Sequence, residues 1–215
     1  MSFQVSIQPS AHHYNCKDDE TILQSALNNG IGLPYGCRNG ACGSCKGKLV
    51  SGSIDYGKYS HTALSEEEKA RGMALFCCAR PLSDVVIEVR EVGAIKDLQV
   101  KILPSRVQSI ERPADDVAVI SLKLPANERL QFLAGQYIEF ILKDGKRRSY
   151  SMANAPHNLG TPPAIELHLR HMPGGKFTDQ VFSTLKEKDI VRMEGPFGSF
   201  HLREESPKPI VLLAS

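Results

Sequence analysis

Three thiols share one short loop in this chain, and that crowding limits what the loop can become. The segment Cys37-Arg38-Asn39-Gly40-Ala41-Cys42-Gly43-Ser44-Cys45 has the form C-x₄-C-x₂-C, and Cys77 follows after 31 intervening residues. In a chain that reads as belonging to a reducing compartment, such a pattern points to metal ligation rather than disulfides. Gly36, Gly40 and Gly43 let the backbone fold tightly around a bound group, because a residue without Cβ tolerates close approach and left-handed geometry. Four thiolates also suit tetrahedral zinc. Zinc ligands, however, usually come as two short knuckles, and here three share a loop while the fourth stands alone. For that fourth place the adjacent Cys77 and Cys78 compete. Neighbours on a strand point to opposite sides, so local geometry lets either one face the loop.

The 215 residues suffice for one large or two small domains, and two are expected, since single cores usually serve roughly 100 to 150 residues. A hydrophobic share of 41% with 23% charged residues fits folded domains with real cores and leaves no polar low-complexity tract. No run approaches the roughly 18 apolar residues of a membrane span, and residues 1–11 lack the layout of a signal peptide. A soluble cytoplasmic protein with no membrane partner is expected. The net charge is only +2 and the basic residues are scattered, which argues against a nucleic-acid partner.

Around the cysteine loop the pattern is that of a small α+β domain. Phe3-Gln4-Val5-Ser6-Ile7 alternates like a strand. Residues 21–29 read as a helix with Ile22, Leu23, Ala26 and Leu27 on one face, stopped by Gly30. Ser65-Glu66-Glu67-Glu68 has the form of a capping box, and residues 48–50 and 85–89 read as strands. Near residues 91–98 the pattern weakens. From Val100 a new series of strand-like runs begins, at 117–124, 137–142, 148–152, 165–170 and 190–194, as in a barrel. One helix is predicted at 177–185, with Val181, Phe182 and Leu185 on its inner face. After Pro207-Lys208-Pro209, the apolar run at 210–214 is of the kind that opens a parallel sheet, so the sequence reads as cut at the start of a third domain. The predicted boundaries are 1–93, a linker at 94–99, 100–203, and a first strand at 204–215.

The second part carries two further motifs. In Arg148-Ser149-Tyr150-Ser151 the arginine and the tyrosine are two apart on a strand and share a face. A guanidinium there can bind phosphate while the phenol ring lies against a flat heterocycle and Ser151 reaches the ring edge. Met172-Pro173-Gly174-Gly175-Lys176-Phe177-Thr178 is a glycine turn running into a helix, where free N–H groups suit a pyrophosphate.

From about residue 3 to 92, G-C-R-N-G-A-C-G-S-C followed by L-F-C-C-A-R-P-L-S-D-V-V-I-E-V resembles the plant-type [2Fe–2S] ferredoxin domain, most closely the form fused to flavin reductases. This resemblance implies a β-grasp fold and makes Cys37, Cys42, Cys45 and Cys77 the cluster ligands. Cys78 and Cys16 are then small buried hydrophobes. Residues 100–203, with the R-x-Y-S motif, the glycine turn, Gly135-Gln136-Tyr137 and Gly195-Pro196-Phe197-Gly198, resemble the FAD-binding domain of the ferredoxin reductase superfamily. That implies a six-stranded antiparallel all-β barrel with one helix. It also implies that Arg148 binds the diphosphate, Tyr150 stacks on the isoalloxazine, and Ser151 approaches flavin N5. Gly174, Gly175, Lys176 and Thr178 would hold the diphosphate from the other side. The run at 210–215 resembles the first strand of a nicotinamide domain.

The resemblance implies an electron-transfer oxidoreductase that takes a hydride from NAD(P)H, splits the pair at FAD and sends single electrons through the cluster to a redox partner protein. Two subgroups fit: reductases like CDP-6-deoxy-Δ3,4-glucoseen reductase, serving a dehydratase, and reductase components of aromatic-ring or hydrocarbon oxygenases. The first is preferred, on residues 98–106 and 195–205. A non-enzymatic [2Fe–2S] carrier and a redox-sensing module are readings of another class.

Overall fold

The computed structural model describes residues 1–95, 98–202 and 206–211. Its first part is a five-stranded mixed sheet in the order β2-β1-β7-β3-β5. The strands are β1 (Ser2–Gln8), β2 (His13–Lys17), β3 (Lys46–Ser51), β5 (Met73–Leu75) and β7 (Val85–Glu88), with β4 (Ile54–Asp55) and β6 (Arg80–Pro81) forming a separate pair. β1 and β7 run parallel, with Val5 opposite Val85 and Ile7 opposite Ile87, so the alternation read in the sequence puts all four side chains in one core. Helix α1 (Ile22–Asn28) packs Ile22, Leu23 and Ala26 into the same core, and Thr21 caps it by accepting from the Gln24 N–H. Gly30, at φ +72°, follows its end. α2 (Glu66–Ala70) has the full capping box, Ser65 and Glu68 each satisfying the other's backbone N–H.

A 3₁₀ turn at Gly93–Ile95 leads toward the second part, a six-stranded antiparallel sheet in the order β11-β10-β13-β8-β9-β12. Its strands are β8 (Lys101–Ala114), β9 (Val117–Lys123), β10 (Tyr137–Ile141), β11 (Arg147–Ser151), β12 (Ala164–Arg170) and β13 (Ile190–Phe197). Period-two burial is clean in β9 and β12, where Ala118, Ile120 and Leu122 face the core with Ile165, Leu167 and Leu169. α3 (Thr178–Ser183) adds Val181 to that core.

The barrel expected from the sequence is not closed by a ladder. The edge strands β11 and β12 share no register among the described residues. Only the segment after β11 reaches across: the Ala153 N–H donates to the Glu166 carbonyl at 2.8 Å, and Asn154 Oδ1 accepts from the Glu166 N–H at 3.0 Å. β11 ends at Ser151, before it can pair further. Of the apolar run predicted at 210–214, residues 212–214 lie outside the described residues, and Ile210 and Val211 are exposed without regular structure. Among the described residues no helix is long and apolar enough to cross a membrane.

Candidate electron-transfer site

The cysteine loop has no regular structure between Leu33 and Cys45, and its turns are made by residues in the left-handed region: Arg38 at φ +59°, Gly40 at +76° and Gly43 at +77°. Gly40 is the tightest of these. A Cβ there would sit 2.8 Å from Cys78 Sγ and 2.9 Å from Tyr59 Cα. Within the loop the Cys37 N–H donates to Cys42 Sγ and the Ala41 N–H to Cys37 Sγ, both at 3.4 Å. Ser44 Oγ lies 3.3 Å from Cys42 Sγ.

The four thiols fall into two pairs. Cys37 and Cys42 interact within the loop, and Cys45, at the edge of β3, meets Cys77, which follows β5. In each pair one thiol is made acidic. Cys77 is drawn down to about 6, chiefly by its hydrogen bond with Cys45, while Cys45 is pushed up as the donor. Cys42 is held at about 7, because hydrogen bonds from Cys37 and Ser44 outweigh the burial that would raise it. The thiolate is the form that binds metal, so all four thiols would give up their protons on ligation. Among the described residues no three His, Cys, Asp or Glu side chains converge on a point the size of one ion. Two pairs of thiols suit two irons, each taking two thiolates, better than they suit one zinc.

Cys78 lies close by, its Sγ 3.6 Å from that of Cys77, but burial and the neighbouring Cys77 push it up to about 12. It stays protonated where Cys77 does not. Cys16, on the edge strand β2, is fully buried in the first core, as expected of a small hydrophobe. Cys42 is exposed, so the loop has one open side.

On the second sheet, Arg148 and Tyr150 share a face of β11. The Tyr150 ring is tilted against Phe140 and Phe177 at centroid distances of 5.8 and 5.5 Å, and these two stack on each other at 4.2 Å. The half-buried phenol ring is therefore packed on these two rings along one side. Gly174 adopts φ +80° and Gly175 closes the turn by donating its N–H to the Met172 carbonyl at 2.7 Å. The Thr178 hydroxyl is spent on that same turn: it accepts from the Met172 N–H at 3.3 Å and donates to the Met172 carbonyl at 3.0 Å. Its part is to shape the turn. Ser151 is exposed at the end of β11, opposite Tyr137.

Lys146 belongs with these residues and escaped the motif reading. It follows the Asp144-Gly145 turn between β10 and β11, and the Lys176 ammonium beside it holds its pKa down. Lys176 in turn pairs with Asp144 at 2.6 Å, and Arg148 adds to the positive potential felt by both lysines. Arg148, Lys146 and Lys176 thus bring three cations together from two elements, as an anionic diphosphate requires. The sequence signal was an Asp-Gly-Lys hairpin turn two residues before the R-x-Y-S motif.

The two parts are fastened at the cysteine loop. The Tyr137 hydroxyl donates to the Gly36 carbonyl at 2.6 Å, and Tyr35 and Ser199 exchange backbone and hydroxyl hydrogen bonds at 2.8 to 3.0 Å. The Arg38 guanidinium lies 3.7 Å above the Phe197 ring and donates to Glu139 at 2.8 Å. None of these partners is near its mate in sequence.

A sheet that carries paired thiols in a glycine-bent loop, docked on a second sheet that gathers cations beside a tyrosine, defines a class. Residues 5–82 match the family described as 2Fe-2S iron-sulfur cluster binding domain, and residues 104–202 match the family described as oxidoreductase FAD-binding domain. The chain thus matches one domain of each family, in that order. Within that class it is 42% identical over 214 residues to the CDP-6-deoxy-L-threo-D-glycero-4-hexulose-3-dehydrase reductase of Yersinia pseudotuberculosis, an alignment covering 100% of this chain and 63% of the relative. It is 36% identical to terephthalate 1,2-dioxygenase reductase component 2 of Comamonas sp., covering 100% of this chain and 62% of that protein. Among solved structures it resembles the Amycolatopsis cytochrome P450 reductase GcoB at TM-score 0.76 and 35% identity, over 95% of this chain and 61% of the other. The chain therefore spans somewhat over three-fifths of the length of these relatives.

Proposed function

We propose that the chain is the iron–sulfur and flavin part of a reductase that takes electrons from NAD(P)H and passes them singly to a partner protein. The observation that carries this is the docking of the thiol loop on β10, the strand paired with β11, which bears Arg148, Tyr150 and Ser151. Cys37 with Cys42, and Cys45 with Cys77, are assigned to the two irons. Arg148, Lys176 and Lys146 are assigned to the diphosphate, Tyr150 to the isoalloxazine face and Ser151 to its edge, with Gly174, Gly175 and Thr178 shaping the turn. FAD supplies the step from a two-electron donor to a one-electron acceptor. The protein's residues hold the two centres at a fixed relation and leave the Cys42 side of the loop open for the acceptor. We read the first sheet with α1 as a β-grasp, the second as an open form of the flavin barrel, and residues 1–93 and 100–203 as the two domains.

The acceptor is proposed to be a dehydratase acting on a CDP-linked deoxysugar, because the 42% identity to the hexulose dehydrase reductase exceeds the 36% to the terephthalate dioxygenase reductase. An oxygenase component is the second reading. The test is to purify the chain anaerobically and measure iron, sulfide and released flavin. FAD equimolar with a two-iron cluster supports the reductase, whereas a cluster without flavin would make the chain a plain carrier. Reoxidation of the photoreduced protein by a CDP-hexulose dehydrase, and not by an oxygenase component, supports the first acceptor.

A further inference from the structure

Strand β11 has two faces. Arg148 and Tyr150 lie on one, and Arg147 and Ser149 lie on the other. On that second face stands Glu139 of β10, the strand partner of Ser149, buried to 8% side-chain exposure. Its Oε2 accepts from Arg38 at 2.8 Å and from Arg147 at 3.1 Å, and its Oε1 from Ser149 at 3.3 Å. Arg147 also pairs with Glu194 of β13. The result is a four-charge chain, Arg38, Glu139, Arg147 and Glu194, with no net charge.

One end of this chain is the residue that follows Cys37. Arg38 is a non-glycine residue in the left-handed region, a conformation that persists only when surrounding contacts hold it. Its guanidinium is clamped between Phe197 and Glu139, and its Nε–H is buried without an acceptor among the described residues. A buried ion pair is a poor way to gain stability compared with apolar packing, but it fixes one relative placement of the groups it joins. Here it joins the loop of the thiol ligands to the reverse side of the strand that bears Arg148 and Tyr150.

We propose that Arg38 and Glu139, extended through Arg147 and Glu194, are the positioning latch that sets the cluster against the flavin for electron transfer. The inference rests on the cofactor assignments above. In the step it serves, reduced FAD is oxidised by one electron and the cluster is reduced by one. No bond between heavy atoms forms or breaks, and any proton lost from the flavin goes to solvent.

The test uses the chain loaded with both cofactors, anaerobic laser-flash photoreduction, and absorbance of flavin and cluster followed as they re-equilibrate. Glu139→Gln should slow that re-equilibration by about tenfold or more, since it takes from the Arg38 guanidinium its counter-charge and leaves Arg147 with Glu194 alone. Iron and FAD contents should match wild type. The double variant Arg38→Gln/Glu139→Gln should be slowed no further than Glu139→Gln alone, because the pair acts as one unit. Arg38→Gln should also lower the midpoint potential of the cluster, by removing a positive charge that favours its reduced, more negative state. A Glu139→Gln protein with both cofactors and an unchanged rate overturns the latch. If that variant fails to fold, Arg147→Gln carries the same test from a position remote from the thiol loop, and an unchanged rate there overturns it equally. A wild-type chain that holds no FAD or no cluster overturns the cofactor assignments themselves.

Discussion

Cys77 and Cys78 are chemically identical, adjacent, and 3.6 Å apart at sulfur, yet their surroundings separate them. The hydrogen bond from Cys45 favours the thiolate of Cys77, while burial keeps Cys78 a thiol up to about 12. Cys77→Ser should therefore abolish the [2Fe–2S] absorption and EPR signals, and Cys78→Ser should keep them. The reverse result would exchange the ligand assignment. A second contrast of the same kind holds at the flavin. Arg148→Ala removes a charged donor to phosphate and should raise the FAD dissociation constant by about 10- to 100-fold, the equivalent of about 1.5 to 3 kcal/mol. Ser151→Ala removes a neutral hydroxyl on an exposed strand end and should cost less than about tenfold. Titration of FAD into the apo form measures both, and a larger loss for Ser151 would refute this division of roles. At this scale much was legible in the sequence: the cysteine spacing marked the first site, and the family resemblance marked the second. Between the neighbouring cysteines local geometry left the choice open and the family resemblance assigned Cys77; the surroundings that distinguish the two thiols include Cys45, 32 residues from Cys77, which no local pattern contains.

The turn from Met172 to Thr178 shows how an element is built around two small residues. A Cβ on Gly175 would collide with Thr178 Oγ1 and lie 2.7 Å from the Met172 carbonyl, so the turn closes only with glycine there. Thr178 is 4% exposed and bonds both the N–H and the carbonyl of Met172. Thr178→Val should leave the Met172 N–H without its partner and take one of two donors from the Met172 carbonyl, lower stability by about 1 to 3 kcal/mol and weaken FAD binding. Denaturant melts of the apo and FAD-loaded forms check it. A variant that matches wild type in both would show that the turn does not depend on the hydroxyl. Elements with a strong local signature were readable in advance: α1 with its cap and apolar face, α2 with its capping box, and β9 and β12 with their alternation. β4, β5 and β6 were not, because strands of two or three residues are too short to show a period. β10, read in advance as a strand at 137–142, runs over Tyr137–Ile141 although its burial breaks the period. Ile138, Glu139 and Phe140 are buried in succession, since the first sheet's loop covers the face that would otherwise meet water.

Across the whole molecule, the two sheets are joined by a residue that belongs to both. Phe197 ends β13, in the middle of the six-stranded sheet, yet its side chain is 2% exposed and packs in the core of the first part. Tyr137 lies against it at 5.7 Å and the Arg38 guanidinium covers its ring. Nothing in the local sequence announces this, because Phe197 lies 60 residues from Tyr137 and 159 from Arg38. The consequence is mechanical coupling: the first core cannot melt without exposing Phe197, and the second sheet cannot melt without withdrawing it. Wild type should therefore unfold in one calorimetric transition. Truncating a buried phenylalanine costs about 3 to 5 kcal/mol, and here that loss falls on the coupling. Phe197→Ala should thus split the unfolding into two transitions, the first core melting earlier. High salt should not reproduce the effect, since screening weakens the ionic latch but leaves an apolar contact intact. A Phe197→Ala protein that still melts in a single transition at the wild-type temperature would mean that the ionic and backbone contacts at the loop hold the two sheets together without it.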